Sequence, residues 1–217
     1  MIVAIITAKL KSTRLPDKVL LPILGEPMLW HIVNRVRASK VNRVVVATTI
    51  HDKEIKAFCR ENKIDFYAGS ENDILDRIYK TARHFPLTDI VVRVWGDAPL
   101  IDPEIIDLCV KVYKANDYNY LTNTGYPKGL NVAVVSFGSL EKAWREIRSP
   151  QKRHWIHKYF VENADKYNVG EVRFKKDLSY LDWSVDYESQ LEWVRGIYRK
   201  LSKEGRVFGW EEALEFI

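Results

Sequence analysis

Cysteine is scarce in this chain, with two in 217 residues, Cys59 and Cys109. Both fall in helical patterns, which fits small buried residues of a reducing compartment and excludes a disulfide framework or a cysteine-based metal site. The apolar start has about eight residues and no basic segment before it, too short for a signal peptide or a membrane span. A cytoplasmic protein with no membrane partner is therefore expected. There is no Gly-x-x-x-x-Gly-Lys-Ser/Thr loop, which excludes a P-loop protein, and no Gly-x-Gly-x-x-Gly after the first strand, which argues against a dinucleotide enzyme. Internal repeats, low-complexity segments and Gly/Ser linkers are also lacking, so one domain over residues 1–217 is expected. The excess of positive charge is small: 34 Lys and Arg against 29 Asp and Glu, a net +5. That favours an anionic ligand but is no basic stripe, and no nucleic-acid partner is expected.

What is present is an alternation of short apolar runs and amphipathic stretches through the first half, the pattern of βαβ units around a mainly parallel sheet. Strands are predicted over 2–7, 43–49, 65–68 and 89–95. Helices are predicted from Pro27, over 52–62 and 72–85, and from Asp102-Pro103 to about Ala115, with Asp102 as the cap. The second half is less regular. Strands are predicted there over 118–122, 130–136, 167–175 and 183–185, and helices over 139–148, 151–164, 187–201 and 209–217. The fold class is α/β, a mainly parallel sheet flanked by helices with a small irregular insertion in the second half. Trp144, Trp155, Tyr159 and Phe160 are either core or an interface between subunits.

The loop after the first strand concentrates the chemistry. It carries Lys9, Lys11, Arg14 and Lys18 with Ser12 and Thr13 between them, at the strand end where open α/β sheets bind ligands. Several cations on a short loop neutralise a polyanion such as a nucleoside triphosphate; the plainer alternative is a solvated basic turn. Asp97 follows a later apolar strand on Gly96-Asp97-Ala98-Pro99 and faces the same sheet edge. A carboxylate beside a triphosphate calls for a divalent cation between them, and Mg2+ is the expected ion; otherwise Asp97 is a turn aspartate. Asp186, ahead of a helix, is an N-cap, a second metal ligand, or both. Asp76-Arg77 within a helix reads on its own as a solvated charge pair. Arg93 lies in an apolar strand, so its charge needs a partner or a ligand. His154 and His157 lack the carboxylate pattern that would make them a zinc site.

In this order, these residues resemble the cytidylyltransferases that activate acidic sugars, the CMP-Kdo and CMP-sialic acid synthetases, and especially their spore-coat-polysaccharide type. Ser12-Thr13-Arg14-Leu15-Pro16-Asp17-Lys18 is similar to the Ser-Thr-Arg-Leu-Pro-x-Lys signature, and Gly25-Glu26-Pro27-Met28 to the family's lead into its first helix. Val46-Ala47-Thr48-Thr49, Gly69-Ser70 with Asp73-Ile74-Leu75-Asp76-Arg77, the run from Arg93 through Gly96-Asp97 to Asp102, and Trp183-Ser184-Val185-Asp186 resemble its later motifs. The resemblance implies a Rossmann-like nucleotidyltransferase that transfers CMP from CTP to a sugar hydroxyl, depends on Mg2+ and releases pyrophosphate; many relatives are homodimers. It implies CTP binding by Ala8, Lys9, Ser12, Arg14, Lys18, Asp76, Arg77 and Arg93, metal binding by Asp97 and Asp186, and catalysis by Lys18, Arg14 and Asp97. It divides the chain into a nucleotide half, about residues 1–115, and an acceptor or dimer half, about residues 116–217.

The departures from the family pattern are specific. Lys9 stands where arginine is usual and Asp17 where glycine is usual. Gly129-Leu130-Asn131-Val132-Ala133 replaces a frequent Gly-x-Asp-x-Glu, and Lys152-Arg153-His154 replaces Arg-Glu-His. The acceptor half has thus lost acidic groups. Lys128, Lys152 and Arg153 would meet an acceptor carboxylate if they line the site. The rival readings are a nucleotidyltransferase using another nucleotide or a non-sugar acceptor, a glycosyltransferase (against which the missing Asp-x-Asp at Asp97 counts), and a non-catalytic nucleotide-binding homologue or nucleic-acid-binding module.

Overall fold

The computed structural model describes residues 1–203 and 206–216. Seven strands form one sheet, in the spatial order β5 (Asp65–Gly69), β4 (Arg43–Thr49), β1 (Ile2–Thr7), β6 (Ile90–Trp95), β8 (Ala133–Ser136), β7 (Tyr120–Thr124) and β9 (Val169–Arg173). Only β8 runs antiparallel to its neighbours β6 and β7; the other pairings are parallel. The sheet is therefore mixed but mainly parallel, as the alternating pattern predicts.

The central strand shows why the sequence folds this way. Alternate side chains of a strand point to opposite faces. Val3 and Ile5 enter one buried cluster, Ala4 and Ile6 another. Helices α1 (Met28–Arg37), α2 (Lys53–Glu61), α4 (Pro103–Ala115) and α8 (Glu188–Leu201) contribute to the cluster around Ala4. Helices α3 (Ile74–His84), α5 (Phe137–Glu146) and α7 (Ile156–Glu162) contribute to the cluster around Val3. Cys59 and Cys109 are both buried, and burial pushes each thiol up to about 12. Neither ionises near neutral pH, which fits packing and not reactivity.

Several predicted elements differ from those observed. The helix expected over 151–164 is two, α6 (Pro150–His154) and α7, broken at Trp155, whose backbone (φ −104°, ψ 63°) leaves the helical region. Tyr159 and Phe160 are core, Trp144 stacks on Tyr79 with ring centroids 4.4 Å apart, and Trp155 alone of the four aromatics is exposed. The segment 183–185 is no strand. Its amides donate to two separate loops, Trp183 to Lys128 O (2.9 Å) and Val185 to Asp97 O (2.8 Å). It is apolar because it is buried. Pro27 precedes α1 instead of opening it, and closes a small hairpin, β2 (Pro22–Ile23) with β3 (Glu26–Pro27), that the sequence reading lacks. The hairpin turns on Leu24 (φ 49°) and Gly25 (φ 88°), two left-handed residues in succession. The terminal helix, α9, is Trp210–Leu214; Ile217 of the predicted span lies outside the described residues. Asp102 does cap α4, its Oδ1 accepting from the amides of Glu104 and Ile105, while Oδ2 takes the amide of Trp210.

Asp17 is left-handed, with φ 54°. This accounts for the glycine usual at that position, because an L-residue there is strained by roughly 1–2 kcal/mol and aspartate is among the few that tolerate it. Asp17→Gly should therefore leave stability unchanged or raise it by up to about 1 kcal/mol once the greater freedom of the unfolded chain is included. Thermal melts check this; a clear loss of stability would show that the Asp17 side chain makes a stabilising contact.

Candidate active site

The site forms where β1, β4 and β6 end together. Gly96, just past β6, donates its amide to Thr7 O at 2.9 Å. A Cβ at 96 would stand 2.6 Å from Thr7 O and 3.0 Å from the Cα of Ala8, so only glycine permits this approach. The close contact buries Ala8 and sets Asp97 beside the start of the basic loop.

Asp52 pins that loop from the other side. Its Oδ1 accepts from the amide of Leu10 (3.2 Å), and its Oδ2 from the Thr48 hydroxyl (2.9 Å) and the Thr49 amide (3.1 Å). Burial pushes this carboxyl up, but the hydrogen bonds from Thr49, Thr48 and Leu10 outweigh it and hold it below the ordinary value. Read from sequence, Asp52 is only the start of a helix; its side chain makes no capping bond to α2. The signal that could have found it is its place three residues after the Thr48-Thr49 end of a strand at the ligand-binding edge.

At the end of the loop Lys18 turns inward. Its ammonium donates to Val185 O (2.8 Å), Asp186 Oδ1 (2.8 Å) and Asp97 Oδ2 (3.2 Å). Arg14 pairs with the second oxygen of Asp186 at 2.6 Å and lies over the Tyr187 ring. Lys18, Arg14, Asp97 and Asp186 are thus brought to one point. Asp186 does not cap α8: Tyr187 holds that position, and Gln190 Oε1 accepts from the amides of Asp186 (2.7 Å) and Tyr187 (3.0 Å). The Asp186 carboxylate faces Lys18 and Arg14, which lower its pKa despite burial, the largest opposing effect. Because both aspartates share one ammonium, both face one small volume. A pair of carboxylates open to phosphate oxygens and water is the donor set that Mg2+ takes.

The other predicted residues are placed differently. Ser12 accepts the amide of Leu15 (3.4 Å) within the loop, Lys11 pairs with Glu71, and Lys9 is exposed with no ion pair among the described residues. Arg77 is buried and holds the chain after β5 through Ser70 O at 2.6 Å. Asp76 does not join the Lys18 cluster. It accepts from Trp144 Nε1 (2.8 Å), pairs with Lys80, and lines a separate cavity of about 590 Å3. Arg153 lines the same cavity, locked to Asp73 at 2.6 Å and to the carbonyls of Trp144 and Ile147. Lys152 pairs at the surface with Glu162. Neither therefore reaches the larger cavity, about 1050 Å3, which opens beside Asp97 and Arg14 and is lined by Arg93, Lys128, His154 and His157. Partial burial lowers both histidines, so they are neutral near pH 7. No cluster of three or more metal-ligating side chains exists among the described residues, and no described helix is long and apolar enough to cross a membrane.

The mainly parallel, helix-flanked sheet is a nucleotidyltransferase-like fold, and a cationic loop with two converging carboxylates at its edge lies where such sheets bind ligands. Residues 3–179 match the cytidylyltransferase family model, and the chain belongs to that family. It is 34% identical to an uncharacterised protein of Methanocaldococcus jannaschii (77% of this chain, 70% of that one). It is 29% identical to the spore coat polysaccharide biosynthesis protein of Bacillus subtilis (92% and 87%). It is 40% identical to the 3-deoxy-manno-octulosonate cytidylyltransferase of Yersinia pseudotuberculosis (88% and 82%). Among solved structures, a cytidylyltransferase from Leptospira borgpetersenii superposes with a TM-score of 0.92 at 29% identity, over 100% of this chain and 93% of that one. The CMP-2-keto-3-deoxy-manno-octonic acid synthetase complexed with CTP superposes at 0.71 and 19% identity (92% and 98%).

Asp52→Asn should destabilise the protein by about 1–3 kcal/mol near neutral pH, the scale for hydrogen bonds to a charged group. The wild-type carboxyl is depressed, so its contribution is full above the ordinary aspartate value and fades as pH falls through its lowered one. Urea melts of both proteins at about pH 7 and about pH 3 should show the difference shrinking in acid; an equal difference at both would place the effect elsewhere.

Proposed function

We propose that the protein transfers CMP from CTP to a hydroxyl of an acidic sugar and releases pyrophosphate, in the cytoplasm where CTP is made. The observation that carries this reading is the convergence of Lys18, Arg14, Asp97 and Asp186 between the basic loop and the large cavity, in a chain of the cytidylyltransferase family. The relative solved with CTP supports the nucleotide. The metal is supported by the donor set of Asp97 and Asp186; a protein of the same fold from Mycobacterium tuberculosis was solved with manganese. Residues 1–115 would supply the nucleotide site and residues 116–217 most of the acceptor wall.

Lys9, Ser12, Arg14, Lys18 and the backbone at Ala8 would hold the triphosphate, with Arg77 shaping the adjoining wall. Asp76, turned into the other cavity, is left out of this set. Asp97 and Asp186 would hold Mg2+, which when bound offsets phosphate charge and makes the acceptor hydroxyl more acidic. The acceptor oxygen attacks the α-phosphorus in line. The bond from that phosphorus to the pyrophosphate oxygen breaks, and the hydroxyl proton leaves to solvent. The protein's contribution is positioning and charge neutralisation: Arg14 and Lys18 balance the departing pyrophosphate, and the cavity holds the sugar on the opposite side of the phosphorus.

Lys18 lies between the two carboxylates. Triphosphate gives Lys18 and Arg14 a stronger anion and frees Asp97 and Asp186. Two outcomes follow from this geometry. Asp97→Asn should lower turnover at least about 100-fold with an unchanged melting temperature; near-normal turnover would remove Asp97 from the metal site. Lys18→Met should bind Mn2+ alone more tightly than wild type while binding CTP more weakly, measured by titration calorimetry with CTP, UTP, GTP and ATP run in parallel. Tighter metal binding with CTP affinity intact would remove Lys18 from the triphosphate site.

A further inference from the structure

We propose that Arg93 recognises the carboxylate of the acceptor sugar and so sets acceptor specificity; this rests on the function proposed above. Arg93 lies on β6 between the buried Val92 and Val94 and lines the large cavity. Its guanidinium carbon sits 4.4 Å from the centroid of the Trp95 ring, which fixes the plane of the fork. Among the described residues, two buried side-chain nitrogen or oxygen atoms lack a hydrogen-bond partner, and they are the Nε atoms of Arg77 and Arg93. Arg93 also makes no ion pair, whereas Arg14, Arg35, Arg77 and Arg153 are each tied to a carboxylate or a carbonyl. A half-buried guanidinium whose buried Nε–H is unpaired is costly, and a planar oxyanion that accepts two parallel bonds is the ligand that removes the cost.

The surroundings make this end of the cavity positive. Lys9 and Arg77 lie close enough, with Arg93 itself, to lower His154, after partial burial as the main cause. Elsewhere on the wall the charges are mixed: Asp177 sits near Arg173, and Glu171 accepts from the Thr124 hydroxyl. An acidic sugar would therefore enter with its anion toward Arg93 and its hydroxyls toward this mixed wall. Burial lowers the Arg93 guanidinium to about 10, which still leaves it charged at neutral pH.

The family resemblance groups Arg93 with the CTP-binding residues, whereas its place on the wall of the large cavity favours the acceptor. Of the basic loop, only Arg14 reaches the lining of this cavity. Trp95, Asp97 and Ala98 continue the wall from Arg93, and the rest comes from the second half, chiefly β7 with the loop after it, β9 and the α6–α7 break. The residues that sequence pattern offered for an acceptor carboxylate fit less well: Lys152 and Arg153 pair elsewhere, and Lys128, although on the cavity wall, is exposed and 4.0 Å from Asp182.

The test uses the full-length protein with CTP and Mg2+, and reads pyrophosphate release with 3-deoxy-manno-octulosonate, a sialic acid, and the methyl ester of each. Wild type should use at least one acid and discriminate against its ester. Arg93→Met should raise the acceptor KM by about 30-fold, with the CTP dissociation constant within about twofold of wild type, and Arg93→Lys should recover part of the loss. Equal use of acids and esters by wild type, including use of neither, overturns the inference. A parallel loss of CTP affinity in Arg93→Met also overturns it, since that would place Arg93 on the nucleotide. The ester comparison needs no variant, so it decides even if Arg93→Met does not fold. Failure of wild type to bind CTP at all would remove the proposed function itself, whereas normal CTP binding without acid preference removes this inference alone.

Discussion

One ammonium group organises this molecule. Lys18 joins Asp97 and Asp186, so a loop near the beginning of the chain, the turn after β6 and the approach to α8 are held at a single point. A buried ion pair is a poor source of stability, because desolvation offsets much of the attraction. Its value here is positional. It keeps two carboxylates close together that would otherwise repel, and Arg14 takes up the remaining oxygen. The backbone supports the arrangement from both sides, through the bare Cα of Gly96 against Thr7 and through Asp52 beneath Leu10.

The parts of this arrangement that were legible in the sequence are those encoded locally. A cationic loop after a first strand, and a Gly-Asp-x-Pro turn after another, each carry their meaning within a few residues. The central parallel strands were legible for the same reason: burial on both faces leaves a continuous apolar run. Asp52 was not legible as a loop anchor, because its partner Leu10 is distant in sequence and a helix start was a sufficient explanation of an aspartate there. The apolar run 183–185 was misread because burial in a loop and burial in a strand produce the same composition. The break at Trp155 carries no glycine or proline to announce it; packing of Ile156, Tyr159 and Phe160 decides it. Asp17 was noticed as a departure, yet only its backbone angle explains why glycine is usual there.

The two halves of the cleft differ in how tightly they are constrained. Around Lys18 most polar groups have partners within the chain, so that part is held in shape. Around Arg93 a buried N–H has no partner, and the neighbouring wall is built from strands and a broken helix. Preorganisation lowers the ordering cost of binding, while an unmet bond makes a binding surface selective, because a ligand lacking the matching group leaves the penalty in place. Under the function proposed above, the first half would suit the shared nucleotide and the second a choice among similar acceptors.

The strand order has a consequence for how the chain is made. β1 sits in the middle of the sheet, yet one of its neighbours, β4, begins at Arg43 and the other, β6, at Ile90. During synthesis the most apolar strand therefore leaves the ribosome long before its second edge can be covered. Unpaired edges of this kind invite association between chains, and pairings that wait for distant segments form slowly. The topology thus leaves one edge of β1 unpaired until β6 has been made, quite apart from the stability of the finished fold.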